Sequence, residues 1–356
     1  MAQDGTNATM EQKMDLTRLP KLPREYFDRS GIMTTLFLVY AFCTYALPVA
    51  AIYWIVGYSP FSVSEKTLLT VALAFVAQQG LHLFGWIGHE GLHFNLVRNR
   101  RLSAFLGLSF SSMIFSHMGF GFALSHWNHH RFANRPEDPD RQIFEQFHTA
   151  LERLLFARLV ADWHYLVNGV LAAFGKLKID TKGFPLSQKE QQAMAWLNIL
   201  LATAWAGVYA WMISINPVAG LAAIALPHLL VVLLTGLRPY LEHAGTEPEL
   251  FRTSRTRISP LLSTVYFFNN YHLEHHLYPK VPCYNLPRVH RYLKSKGYFE
   301  MANSFIEEGS LANLKYATAR FQYASSPSET LRTLDTTITD FAGAANTSPL
   351  QVSERV

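Results

Sequence analysis

The chain has 356 residues, of which 49% are hydrophobic, 13% aromatic and only 16% charged, against about 25% charged in an average soluble domain. Fifteen histidines stand beside just two cysteines, Cys43 and Cys283, and the formal net charge is +5. This balance excludes a disulfide framework and a four-cysteine iron–sulfur cluster, argues against a nucleic-acid binder, and makes the length of the apolar runs the first question.

Residues 1–30 carry Lys13, Arg18, Lys21, Arg24 and Arg29 and no signal-peptide core, so they read as a polar, basic N-terminal tail that stays on the side where the chain is made. From Ile32 to Gly57 no side chain is charged, which exceeds the ~20 residues a helix needs to cross a bilayer. A second uncharged run extends from Thr67 to about Ile87, and the link containing Pro60, Glu65 and Lys66 closes a helical hairpin. The basic string Arg98, Arg100 and Arg101 follows, which assigns this end of the hairpin to the cytoplasm.

The next apolar run, Leu102 to Leu124, is long enough for one crossing, but a crossing would separate the histidines on either side of it by ~30 Å of hydrocarbon. With Gly107, Gly119, Gly121 and five serines between Ser103 and Ser116, it is expected to be re-entrant or to pack inside the bundle without traversing it. Residues 152–178 mix Arg153, Arg158, Asp162, His164, Lys176 and Lys178 into apolar sequence, the pattern of a helix lying in the interface plane. Ala193 to Ile215 and Val218 to Leu237 form a second hairpin around Asn216-Pro217 and return the chain to its starting side at Arg238. After Tyr316 apolar periodicity ends.

The expected fold is therefore an all-α integral membrane protein: two transmembrane helical hairpins, about four spanning helices, a re-entrant or interfacial segment and a cytoplasmic helical cap. Residues 31–320 form the membrane catalytic domain and residues 321–356 a disordered C-terminal tail. Both termini and the histidine clusters are expected in the cytoplasm. The basic residues gather at the ends of apolar runs, so they suit lipid headgroups and no nucleic acid.

Eight histidines fall into three clusters: His89 and His93; His126, His129 and His130; His272, His275 and His276. Spacings of three and four residues place imidazoles on one side of a helical turn. A single four-coordinate zinc uses at most four of them, so the count points to two metals sharing a nitrogen-rich site, a donor set that suits iron, zinc, copper or nickel. Glu90, Glu242, Glu274, Asp138 and Asp140 are candidates to fix the tautomers of these rings. His82, His117 and His228 read as buried hydrogen-bonded residues, and His148, His164 and His290 as surface or interface residues.

His89-Glu-Gly-Leu-His93, His126-Trp-Asn-His129-His130 and His272-Leu-Glu-His275-His276, on a chain with two membrane hairpins, resemble the three histidine boxes of the integral-membrane fatty acid desaturase superfamily. The run from His272 through Leu-Tyr-Pro-Lys-Val-Pro to Pro287 is similar to the branch that holds β-carotene ketolases and rhizobitoxine-type desaturases. The resemblance implies that the two metals are iron, that O2 is the co-substrate, and that a C=C bond is introduced into an aliphatic chain such as an acyl lipid. It implies a further ligand histidine before the third box, and His243 is the one histidine in that interval. Some members carry an asparagine four residues before that histidine; here Pro239 occupies the position. It also implies a separate ferredoxin-like or cytochrome-like electron donor with its reductase. Hydroxylation or ketolation of a carotenoid, and desaturation of a rhizobitoxine-type small molecule, remain alternatives within the superfamily.

Two rivals come from other classes. His89-Glu90-Gly91-Leu92-His93 matches H-E-x-x-H, in which a zinc protease uses the glutamate as general base. A membrane haem or metal carrier would instead place its histidines inside the spanning helices.

Overall fold

The computed structural model describes residues 15–312 and 314–319, so residues 1–14 and the expected C-terminal tail at 321–356 lie outside the described residues. Four helices are long and apolar enough to cross a membrane, and they form two hairpins. The first pairs α1 (Gly31–Tyr58) with α2 (Val63–Leu92). Ser30 caps α1 by accepting from the Met33 amide. Ser62 and Glu65 close a reciprocal capping box at the start of α2, satisfying amides that have no partner inside the helix. The thirty residues of α2 rise about 45 Å, more than the ~30 Å hydrocarbon thickness, and His89 lies in its last turn.

The stretch from 102 to 124 does not traverse. It consists of α3 (Arg100–Ser111) and α4 (Gly119–Phe132), joined by a turn at 112–118. Helices of 12 and 14 residues span only about 18–21 Å, and the chain returns to the side it left. Backbone groups exposed by that turn find partners in the second hairpin. Asn198 accepts from the Phe120 amide at 2.8 Å and donates to the Ser112 hydroxyl at 2.8 Å, while the Tyr209 hydroxyl donates to the Met113 carbonyl at 2.7 Å. Irregular backbone at membrane depth needs such cover.

After the short α5 (Pro139–Phe144) comes α6 (Arg158–Ala173). Its Ala161, Asp162, Tyr165, Gly169 and Ala172 are buried, whereas Leu159, Trp163, Leu166 and Val170 form an exposed apolar stripe, as an interfacial helix requires. The second hairpin pairs α7 (Gln188–Ile215) with α8 (Pro217–Thr235), and Asn216 between them accepts from the Ala219 amide. At the turn end the Tyr53 hydroxyl donates to the Met212 carbonyl at 3.1 Å. At the opposite end Arg101 pairs with Glu190 at 2.9 Å.

The cap consists of α9 (Arg238–His243), α10 (His272–Leu277), α11 (Leu286–Ser295) and a small parallel ladder of β1 (Arg255–Ile258) with β2 (Phe305–Glu308). That ladder, with an isolated antiparallel bridge from Thr256 to Tyr271, is the β-structure among the described residues. Residues 15–30 lie across the cap: Tyr278 donates to the Pro20 carbonyl at 2.7 Å, and the Ser30 amide donates to the Tyr284 hydroxyl at 2.6 Å.

Helices meet closely where glycine permits. A Cβ at Gly121 on α4 would run into the Tyr165 carbonyl of α6, whereas one at Gly207 on α7 would meet nothing within 4 Å. Gly121→Ala is therefore expected to destabilise the detergent-solubilised protein by about 1–3 kcal/mol through overpacking, read as a lower unfolding temperature. Gly207→Ala should leave that temperature unchanged or slightly raised.

Candidate metal centre

All nine histidines singled out from the sequence meet at one end of the hairpins, where they form two adjoining groups. His89, His93, His126, His130 and His275 make up the first; His129, His243 and His276, with His272 and Glu242 against them, make up the second. The groups touch: the rings of His130 and His276 are 4.4 Å apart. Helix geometry decides the division. Residues four apart differ by about 40° around the axis, whereas a residue three apart lies about 60° to the other side. Thus His126 and His130 of α4 share the first group and His129 turns into the second, while on α10 His272 and His276 share the second and His275 turns into the first.

Within the first group, the His126 Nε2 lies 3.0 Å from that of His89 and 2.9 Å from that of His130, which is in turn 3.0 Å from that of His275. In the second group, the His272 Nε2 is 3.0 Å from that of His243 and 3.2 Å from that of His276. Nitrogens each about 2.1 Å from one ion are about 3.0 Å apart when they meet at right angles, so these spacings fit neighbouring ligands. Both ring nitrogens of His93 are buried with no hydrogen-bond partner. Burial, and then the charge of neighbouring histidines, pushes His93, His126, His130 and His275 well below the usual imidazole range. Neutral rings with converging lone pairs are the form that binds a metal.

In the second group burial holds His272 and His276 low as well, and His129 is the exception. His129 Nδ1 lies 2.9 Å from Asp138 and 3.7 Å from Asp140. Burial works against a charge on this ring, but Asp138, Asp140 and Glu242 outweigh it and hold it up at about 9. Asp138 also accepts from the Asn134 amide at 2.8 Å. His243 Nδ1 faces the Thr253 carbonyl at 3.0 Å, which turns its Nε2 inward. Glu242 lies 3.5 Å from His272 Nε2 and 3.0 Å from Arg238.

Other residues depart from their expected roles. Glu274 does not contact a ring of either group: it is fully buried, accepts from the Thr256 hydroxyl and faces His290 Nδ1 at 2.6 Å. His290, expected at the surface, is thus a buried partner that ties α11 to α10, because a buried carboxylate is tolerated only when its oxygens are engaged. His148 and His164 are exposed as expected. His117 meets Asp162 at 3.3 Å and His228 lies 2.7 Å from the Ile224 carbonyl, but His82 packs against the Tyr266 ring with its Nε2 unbonded. Glu90 lies behind His89, 3.5 Å from Nδ1, and accepts from the Cys283 amide at 3.0 Å. A protease glutamate must face the metal's open side, so the zinc-protease reading fails on position. The carrier reading fails as well, since the rings gather at and beyond helix ends.

Two clefts reach the centre. One, beside the second group, is lined by Phe122, Phe144, Tyr165, Arg158, Arg238 and Pro239. The other, beside the first, is lined by Leu92, Phe122, Ala123, Trp127 and Phe184.

A family model for the fatty acid desaturases matches residues 66–303, about two thirds of the chain and all nine histidines. Among known proteins, the dihydrorhizobitoxine desaturase of Bradyrhizobium elkanii is 27% identical over 261 residues, which cover 67% of this chain and 70% of that protein.

A metal that enters the second group must displace the proton that His129 retains up to about pH 9. Its affinity there is expected to fall about tenfold per pH unit as pH drops from 9 towards 7, while affinity at the first group, whose rings are already neutral, stays level. Competition with a chromophoric chelator measures both, and Asp138→Asn should flatten the dependence.

Proposed function

The chain belongs to the fatty acid desaturase family, and from that premise we propose that it is an O2-dependent, di-iron membrane desaturase that introduces a C=C bond into an aliphatic chain of an acyl lipid or related amphiphile. The observation that carries this reading is the convergence of nine imidazoles in two touching groups of five and four. One tetrahedral zinc leaves most of them unused, and the nitrogen donors suit iron. Two irons supply the O2 chemistry that removes hydrogen from an unactivated C–H bond. In this reading His89, His93, His126, His130 and His275 hold one iron, and His129, His243, His272 and His276 the other.

The remaining residues prepare the site. Asp138 keeps the proton of His129 on Nδ1, and the Thr253 carbonyl does the same for His243, so that each ring offers Nε2. Phe122 lines both clefts and its ring stacks on His126 at 4.8 Å, which excludes water and gives an aliphatic chain an apolar wall. Position along that wall decides which carbon is oxidised.

Electrons come from a separate ferredoxin-like or cytochrome-like donor with its reductase. Both termini and the centre face the cytoplasm, in keeping with Arg98, Arg100 and Arg101 at that end of α2. Likeness to a dihydrorhizobitoxine desaturase favours a second reading inside the family, a small amphiphile in place of an acyl lipid.

Protein purified after expression in an iron-replete host should contain about two irons per chain, as the two ligand groups require. Its host should gain an unsaturated product that a His275→Ala host lacks, with turnover reduced by more than about a hundredfold, the upper end of the loss from removing even a ligand's hydrogen-bond partner. One zinc per chain, or identical product profiles, refutes the reading.

A further inference from the structure

The second group is assembled from segments far apart in the chain. His129 comes from α4 and His243 from α9, and their rings stand 4.8 Å apart at 89°. Each is oriented from behind through Nδ1: His129 by the Asp138 carboxylate at 2.9 Å, His243 by the Thr253 carbonyl at 3.0 Å. One residue holds both orienting groups. The backbone amide of Asn134 donates to Asp138 at 2.8 Å, and its side-chain Nδ2 donates to the Thr253 carbonyl at 2.7 Å.

The end of α4 sets this up. Asn134 stands two residues beyond Phe132, the last of the helix, and has φ +63°. Many helices stop in that left-handed conformation, which glycine takes most readily and asparagine next. In such an end the amide ordinarily turns back onto a helix carbonyl, whereas here it is aimed at Asp138, the cap of α5. The side chain is buried, and the Thr246 hydroxyl at 3.0 Å and the Glu247 carbonyl at 2.9 Å also stand around Nδ2. Carbonyls only accept, so it is the nitrogen of the amide that faces them. Thr246 in turn donates to the His243 carbonyl at 2.7 Å, which gives the same side chain a second hold on His243. Any two carbonyls would satisfy a buried asparagine. The partners here are the groups that aim two rings of one metal group.

We propose that Asn134 is the positioning residue of the second group: through Asp138 on one side and the Thr253 carbonyl on the other, it locks the rings of His129 and His243 into register so that both present Nε2 to one ion. This deepens the two-metal reading and rests on it.

Asn134→Gly is the discriminating variant, because glycine keeps the left-handed backbone and the amide to Asp138 and removes the side chain alone. Cobalt(II), followed by its visible absorption in competition with a chelator, is titrated into the metal-free, detergent-solubilised full chain. Wild type is expected to take up two ions in two steps. Asn134→Gly should weaken one step by about 10–100-fold, as loss of a residue that orients a ligand does, and leave the other unchanged. Combined with His243→Ala, which weakens the same step, it should cost less than about twofold more, since both changes act on one ring; combined with His89→Ala, the losses should add. Neither step weakened, both weakened alike, or full additivity with His243→Ala overturns the proposal. A second readout needs no metal: nuclear magnetic resonance of isotope-labelled histidines should find the His243 proton on Nδ1 in wild type and shared between the two ring nitrogens in Asn134→Gly. An unchanged His243 tautomer overturns the proposal. A wild type that takes up a single cobalt refutes the two-metal reading instead, and a tautomer shift in that protein leaves the role of Asn134 in place.

Discussion

The structure depends on bringing imidazoles from four distant segments to one end of the two hairpins and keeping them buried, most of them uncharged, there. Desolvation is what makes this possible: it drives protons off His93, His126, His130 and His275 and leaves inward-facing lone pairs. Each architectural feature serves that end. The length of α2 sets His89 at the end of the first hairpin; the short α3 and α4 turn back so that His126 and His130 arrive at the same end; and the second hairpin returns the chain for His243. Had α3 and α4 been a single crossing, the first and second boxes would be separated by the thickness of the bilayer.

Asymmetry between the two groups follows from their surroundings. Beside the first stands Glu90, on the far side of His89, with one oxygen held by the Cys283 amide. Around the second stand Asp138, Asp140 and Glu242, which favour positive charge. Among the nine rings His129 alone is therefore held in its protonated form, while His272 and His276 beside it are as low as the rings of the first group. The third box is braced from behind by Glu274, Thr256 and His290, so the ladder and α11 fix the pitch of α10.

Much of this was legible in the sequence because the signals are coarse and physical. Uncharged runs of membrane length from Ile32, Thr67, Ala193 and Val218 became the four long helices, and the requirement of a common face anticipated the turn within 102–124. Histidine spacing marked eight of the nine rings and the family resemblance supplied His243, but spacing on one helix does not say which neighbour each ring will meet. Whether His129 sides with His130 or with His243 depends on how α4 crosses α9 and α10, and no local pattern encodes that crossing. His290 was misjudged for a related reason: it lies on an amphipathic helix among Arg288, Arg291 and Lys294, and only the packing of α11 on α10 reveals the carboxylate it faces.

X-ray absorption at the iron edge of the purified, fully loaded protein tests the central claim most directly. The account predicts a first coordination sphere dominated by nitrogen, with the multiple-scattering pattern of several imidazoles averaged over two different ions. A sphere dominated by sulfur or carboxylate oxygen, or a single iron environment with few imidazoles, would contradict it.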